Sequence, residues 1–445
     1  LLREDKMSFS NFLSRCVEAR DEIEKFKRPI IVGHYDCDGI TSTSLIAMAL
    51  RRMGKEPKIK TIRKLGEKEI DEIKKHEEVI LTDIGIEEFE SELKDRKIVS
   101  IDHHQSREGG ILQVNPRIFG FDGDNEISSS GAAYYVFKDY VSAELAIVGA
   151  VGDMQSPMRG LNREILREGI KSETVRCDVD LNLFGRVSRP LIWLLSYSTE
   201  PLLPGLSGNE SSCAQFLKSI GIEAKKNEKW RKYFELDFDE KRILISGLVA
   251  YLYSMEVEKE VAKSVIGEVY TLTKHPIGSE LSDANEYSTL LNACGRHNKP
   301  EIGIGVCLGD EGSLEKARSL LSEHRKKLRD GVFYGNKHYE DFGKFYFLDG
   351  RGVIEDGIIG IVAGMLYGTI GRAKPIIAIS IDEGGEIKVS GRATKNIVEG
   401  GVNLGKIMEN ACEGIGNGGG HRIAAGATIK SNKLNEFLRN IAKEL

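Results

Sequence analysis

Three short apolar runs in the first quarter of the chain each end in acidic or imidazole side chains. Ile30-Ile31-Val32 leads into Gly33-His34-Tyr35-Asp36-Cys37-Asp38-Gly39, Val79-Ile80-Leu81 ends in Asp83, and Ile98–Ile101 ends in Asp102-His103-His104. Helical stretches such as Thr43 to Met53 lie between them, and Lys58 to Ile62 reads as a further strand. Apolar β runs alternating with helices predict an α/β fold with a doubly wound, mostly parallel sheet and helices on both faces. Such a sheet binds its ligands outside the carboxyl ends of its strands. The groups closing the three runs should therefore converge. A fourth acid, Asp153, follows a helix, a break and a second buried helix over residues 129–152 and is expected to join them.

Several carboxylates in one crevice cannot all ionise without a cation, because each raises the pKa of its neighbours. Oxygen and imidazole donors without thiolate favour Mn²⁺ or Mg²⁺ over structural zinc. Five aspartates with two or three histidines exceed what one open site needs, so two ions are expected. Ions about 3.5–4 Å apart suit in-line displacement at phosphorus. A lone strand-terminal acid such as Asp83 is usually a cap or turn former. The ordered set of HxDxDG, strand-Asp and strand-DHH carries the reading. Cys37 reads as a small residue in a tight turn.

The chain resembles the DHH phosphoesterase superfamily. His34-Tyr35-Asp36-Cys37-Asp38-Gly39 matches its first motif, Asp83 the second, Asp102-His103-His104 the naming motif, and Gly152-Asp153 the fourth. The resemblance implies that His34, Asp36 and Asp83 hold one metal, and that Asp38, Asp83, His103 and Asp153 hold the other, with Asp83 bridging. It implies a catalytic set of Asp83, Asp102 and His104, with His104 at the scissile phosphate as a general acid.

Composition bears on the remainder. The chain has 445 residues, 40% hydrophobic and 29% charged, as in an ordinary soluble protein of two to three domains. A net charge of −5 excludes a generally basic nucleic-acid coat protein but leaves room for a local basic groove. The longest uncharged stretch, Gly357 to Gly371, is 15 residues with five glycines, unsuited to a membrane span. No signal-like apolar run opens the chain, so a cytoplasmic location is expected. Seven scattered cysteines without a CxxC pair read as free thiols. Residues 341–430 hold 20 of the 48 glycines, a density that suggests backbone close to a ligand or tight turns.

Within that stretch, Ser390-Gly391-Arg392 and Asn417-Gly418-Gly419-Gly420-His421 resemble the DHHA1 domain that accompanies DHH nucleases. By that resemblance Ser390, Arg392, Gly418, Gly419, Gly420 and His421 bind substrate phosphates, with the active site in the interdomain cleft. The DHHA1 pairing sets the chain apart from family II pyrophosphatases. Asn292-Ala293-Cys294-Gly295-Arg296 resembles a segment of archaeal RecJ-like exonucleases. Asn292 and Arg296 are thus further candidates, Arg296 equally as a structural ion-pair partner. The bacterial RecJ pattern adds an OB-fold, for which there is no room before Leu445; a weaker grip on long strands is expected.

The expected domains are 1–195 (DHH catalytic), 196–330 (an inserted α/β region and linker) and 331–445 (a smaller α/β DHHA1 domain). The insertion is expected to contain strands at Ile243–Ile245 and Ile302–Val306. Lys225-Lys226 and Lys229-Trp230-Arg231-Lys232-Tyr233 mix charge with aromatics as a single-strand groove does. The acids that follow favour a solvated helix face instead. The resemblance as a whole implies an exonuclease with two Mn²⁺ (or Mg²⁺), degrading single-stranded DNA or RNA to mononucleotides by a two-metal hydroxide mechanism, in DNA repair or replication. The alternatives are a nanoRNase or cyclic-dinucleotide phosphodiesterase, and a replisome factor bound to the GINS complex with accessory nuclease activity. Polarity, DNA or RNA preference and oligomeric state stay open.

Overall fold

The computed structural model describes all residues except 1, 87, 88, 94, 95, 108, 199, 200, 202, 256, 258, 368, 372 and 383, and omits the side chains of 2–7, 260 and 395. The chain divides into two compact units, residues 1–320 and 321–445.

The first unit opens with α1 (Leu2–Ile23), β1 (Ile30–His34), α2 (Cys37–Arg52), β2 (Lys58–Ile62), α3 (Glu67–Ile73), β3 (Glu78–Thr82), α4 (Glu90–Leu93), β4 (Lys97–Ile101) and β5 (Leu112–Val114). The strands form one parallel sheet in the order β2-β1-β3-β4-β5. Alternate residues explain both covered faces. Ile30, Val32, Val79, Leu81 and Ile98 pack against Ile70, Ile73 and Leu93 of α3 and α4. Ile31, Ile80 and Val99 point the other way and are fully buried, under α2 and α5 (Ser129–Phe137). The order reverses at β1, which makes the β1/β3 carboxyl ends the switch point where such sheets bind ligands. Gly33 lies opposite Thr82 and Thr82 opposite Ile101, so His34, Asp83 and Asp102 leave the sheet side by side.

The chain continues through α6 (Glu144–Gly152), α7 (Gly160–Lys171), β6 (Val175–Leu181), α8 (Leu191–Ser196), α9 (Glu210–Ser219), a hairpin of β7 (Lys225–Lys226) and β8 (Lys229–Trp230), α10 (Phe238–Ser254), α11 (Lys259–Lys263), β9 (Ile266–Leu272), α12 (Ala284–Arg296) and α13 (Pro300–Cys307). Strand β9 pairs antiparallel with β6. Leu194, Leu195, Phe216, Leu217, Leu244, Leu248 and Leu252 form the core of a small helical module. Two strand expectations fail here. Residues 243–245 lie inside α10, which starts from a capping box between Asp237 and Glu240. Residues 302–306 lie inside α13, which starts with Pro300. Short apolar runs fit a buried helix as well as a strand; a capping box marks the first as helix and Pro at the first turn marks the second. The inserted region is therefore mainly helical. Residues 225–230 also differ from expectation, forming a hairpin where a helix face was favoured.

Helix α14 (Glu311–His338) contains the boundary between the units. The second unit has β10 (Glu340–Asp341), β11 (Tyr346–Asp349), α15 (Asp356–Leu366), β12 (Ile376–Ile381), β13 (Ile387–Arg392), α16 (Lys395–Glu399), α17 (Leu404–Ala411), β14 (Gly416–Gly420), β15 (Ala424–Ile429) and α18 (Leu434–Glu444). Its sheet runs β10-β11-β12-β13-β15-β14, antiparallel except between β11 and β12. Residues of α15 cover one face, and those of α17 and α18 the other. Among the described residues no helix is long and apolar enough to cross a membrane.

Candidate metal centre

Residues at or just after the ends of β1, β3 and β4, with Asp153 at the end of α6, form three donor groups: His34, Asp36 and Asp83; Asp38, His103 and Asp153; and Asp83, His103 and His104. Within each group the ligating atoms lie within 4.8 Å of one another. Asp83 and His103 each belong to two groups.

Asp36 caps α2 and accepts from the Gly39 N–H at 3.1 Å. Asp38, in the first turn of α2, is fully buried and accepts from the N–H groups of Ser129 (2.6 Å) and Ser130 (3.0 Å) at the start of α5. Backbone donors and the positive end of that helix suit a carboxylate. Helix α6 makes room for it, since a Cβ on Gly149 would lie 2.5 Å from Asp38 Oδ1. Asp83 has a left-handed backbone, φ 59°, uncommon outside glycine. Its carboxylate accepts from Ser129 Oγ at 3.0 Å.

The imidazoles are arranged as ligands. His34 Nε2 lies 3.2 Å from the Arg63 carbonyl, which therefore takes the N–H and leaves Nδ1 as the donor atom. Nδ1 is buried without a well-formed hydrogen bond, although Asp36 Oδ2 is 2.9 Å and Asp83 Oδ2 3.5 Å away. His103 gives its Nδ1–H to the Gly123 carbonyl at 2.7 Å. Its Nε2 then faces Asp153 at 3.2 Å and Asp83 at 3.5 Å. Carbonyls that fix the tautomer in this way are the usual outer shell of a metal-binding histidine. His104 differs: Nδ1 contacts Asp102 at 2.8 Å, while half the side chain is exposed.

The electrostatics match a cation-binding site. Burial and the charge of Asp83 raise Asp38 to about 6. Burial and the charges of Asp38 and Asp83 push Asp153 well up. Burial also opposes ionisation of Asp83, but His103 and His34 outweigh it and hold the carboxyl well below the usual range. Burial disfavours the His34 imidazolium, yet Asp36 and Asp83 raise it to about 11. The hydrogen bond to Asp102 raises His104, against a smaller effect of burial. The orphaned Nδ1 and the crowded carboxylates fit hard divalent cations with mixed O and N donors. Cys37 belongs to none of the three groups; its thiol points at the Val148 carbonyl, 3.6 Å away.

Sequence reasoning missed the supports. Ser129 and Ser130 hold the carboxylates, Asn115 donates to the His104 carbonyl, and Arg117 donates to the His103 carbonyl. Only the Ser128–Ser130 run, a helix-cap signal, could have pointed to any of them. Asn292 accepts from the Cys37 N–H at 3.0 Å and so steadies the α2 start. Arg296 is near Tyr35 and Asp36; burial lowers its pKa, and it forms no salt bridge among the described residues.

In the second unit, Ser390 and Arg392 end β13. Arg392 pairs with Ala424, and the Ala393 N–H donates to the Ile423 carbonyl. The register therefore brings the His421 turn to the same end of the sheet. Arg392 donates to the Gly391 carbonyl at 2.8 Å. Its guanidinium and the Ser390 hydroxyl both press on α15, where a Cβ on Gly360 would meet Arg392 Nη2 at 2.4 Å. Gly418, Gly419 and Gly420 form an edge strand and His421 is exposed.

Known proteins agree with this architecture. The DHH family N-terminal domain model matches residues 28–153, the DHH-CID domain model 183–266, and the DHHA1 domain model 344–445. The chain belongs to the DHH/DHHA1 phosphoesterase superfamily and has a RecJ-like fold. It is 30% identical over 453 residues to the protein MJ0831 of Methanocaldococcus jannaschii, covering 96% of this chain and 98% of that one. RecJ from Thermus thermophilus, solved with Mn²⁺, matches with a TM-score of 0.60 at 16% identity over 97% of this chain. The match takes in 54% of that protein, so the chain spans about half its length. CDC45 from Entamoeba histolytica matches with a TM-score of 0.65 at 12% identity over 98% of both chains.

Proposed function

We propose that the chain is an exonuclease dependent on Mn²⁺ or Mg²⁺ that hydrolyses single-stranded DNA or RNA to mononucleotides. The observation that carries this reading is the sharing of the Asp83 carboxylate between donor groups, as a bridging ligand between a pair of ions would be. On this reading His34, Asp36 and Asp83 hold one ion, and Asp38, Asp83, His103 and Asp153 hold the other. The ions, when bound, supply Lewis-acid charge at phosphorus and activate a water at neutral pH. The chain's own residues do the remaining work. Asp102 takes the Nδ1–H of His104 and turns Nε2 outward, where it can hold a proton for the leaving oxygen. Arg296 offers a half-buried guanidinium to a phosphate. Ser390, Arg392, His421 and the edge strand Gly418–Gly420 offer further phosphate donors.

Digestion of end-labelled single strands with Mn²⁺ tests the reading. Wild-type protein should release labelled mononucleotide and Asp83→Ala should not. Intact strands with both proteins would refute it, and cleavage confined to two- to five-nucleotide substrates would replace it with the nanoRNase alternative. The archaeal RecJ-like resemblance also makes the GINS complex a proposed partner. Retention of GINS on immobilised Asp83→Ala protein would support that contact, and failure to retain it would remove it.

A further inference from the structure

The two tryptophans of the chain meet on one surface of the first unit. Trp193 on α8 and Trp230 on β8 have ring centroids 5.6 Å apart. Main chain joins their segments: the Leu191 N–H donates to the Arg231 carbonyl at 2.9 Å, and Pro190 forms a bridge with Lys232. Trp230 is 41% exposed and Tyr197 is 49% exposed. Tyr197 follows Trp193 by four residues, which puts the two on the same helix face. Cations border this row. Lys225 Nζ lies 4.2 Å from the Trp230 centroid, and the Arg189 guanidinium lies 5.6 Å from Tyr197 and 4.6 Å from Phe184.

The hairpin sorts its residues. Arg231 is buried and forms a two-pronged pair with Glu240 at 2.7 and 2.5 Å. Tyr233 is buried and donates to Asp180. These two anchor the ribbon inward. Lys225, Lys226, Lys229 and Trp230 all remain exposed. Acids lie close too: Glu228 sits in the turn, Glu223, Glu235 and Glu240 surround Arg231, and Glu210 accepts from the Tyr197 hydroxyl at 3.2 Å. A solvated ribbon would not need an exposed indole braced on a second indole.

We propose that this surface is a stacking platform for single-stranded nucleic acid, with bases on Trp230 and Tyr197, Trp193 bracing Trp230 from the module core, and phosphates on Lys225, Lys226, Lys229 and Arg189. It rests on the substrate class proposed above and adds a binding site separate from the metal ligands. Aromatic faces accept any base, and cations beside them follow the backbone. The flexible stem of Lys225 lets its ammonium leave the indole face for a phosphate when a base arrives. A duplex keeps its bases stacked inside and cannot use the row.

Because both tryptophans lie here, their emission reads this site directly in the full wild-type chain. With EDTA to stop hydrolysis, an oligothymidylate of about 30 nucleotides should quench the emission saturably. The affinity should fall with salt, with a log–log slope of about −0.7 per phosphate contacted. Trp230→Ala should weaken binding by roughly 10-fold, as loss of one base stack does. The triple variant Lys225→Glu, Lys226→Glu and Lys229→Glu should flatten the salt slope. Both should leave Mn²⁺-dependent cleavage of a dinucleotide unchanged. No quenching of the wild-type emission overturns the proposal, and so does equal quenching by duplex DNA or polyglutamate. Cleavage of labelled strands without quenching removes the platform and leaves the nuclease reading. Quenching without cleavage of any strand does the reverse.

Discussion

In the parallel sheet of the first unit the interiors of the central strands β1, β3 and β4 are apolar, and the donor side chains of the centre begin where those strands end. In the mixed sheet of the second unit, Ser390 and Arg392 belong to a strand, and a glycine strand forms the edge. The difference follows from the ladders. A parallel sheet covered on both faces leaves no polar face, so its chemistry moves to the carboxyl ends, where helix N-termini favour negative charge. A hairpin at a sheet edge keeps an open side and a turn, so donors for an anion can sit on the sheet itself. One region gathers negative charge, and in the other the residues proposed to meet phosphates lie on the sheet itself.

The largest effect expected from this contrast is at Asp83. Asp83→Ala should lower hydrolysis by about 10³-fold, roughly 4 kcal/mol of transition-state stabilisation, and should lower bound metal measured by elemental analysis. Arg392→Ala should keep its metal. Equal metal loss in both would break the contrast. A pH series comes next. His34 is raised to about 11 and Asp38 to about 6 in the metal-free protein, so His34 holds a proton that a cation must displace throughout the neutral range, and Asp38 holds one below about pH 6. Metal affinity should therefore rise with pH, by about 10-fold per unit for each proton released. It should fall most steeply below the Asp38 value. Calorimetry in buffers of different ionisation enthalpy would count the protons, and pH-independent affinity would contradict the assignment.

Gly149→Ala should cost about 1–3 kcal/mol of stability by overpacking against Asp38 and Ser130, seen as a lower thermal midpoint together with weaker metal binding. In the second unit, Arg392→Ala should raise KM about 10-fold with a smaller change in kcat, as loss of a charge-assisted phosphate contact does. Gly360→Ala should shift KM the same way by displacing the guanidinium. The smallest effect is expected at Asn292. Asn292→Ala loses one hydrogen bond to the α2 start, about 0.5–1.5 kcal/mol, and should weaken metal binding a few-fold.

The metal-centre half of this contrast was readable in the sequence because each β run in it is short, apolar and closed by a donor. Periodicity and end chemistry agree there. They separate in the helical module. Ile243-Leu244-Ile245 looks like a strand in isolation, and only the Asp237–Glu240 cap shows it to be part of a helix. The β7–β8 hairpin was hidden for a different reason. Its turn residues, Asn227 and Glu228, both have left-handed backbones, but Asn-Glu lacks the glycine that usually announces such a turn. Gly360 lies within the uncharged, glycine-dense stretch and forms part of α15. Its contact with Arg392 depends on tertiary register, which no local pattern encodes.

Asp83 is claimed by both ions of the proposed pair, which makes the centre a single thermodynamic object. Freeing Asp83 of its proton for one ion serves the other as well, but each bound cation also offsets the negative charge that draws the second. The two sites should therefore fill in sequence, one tighter than the other. A titration would then show two steps, and dilution would empty the weaker site first.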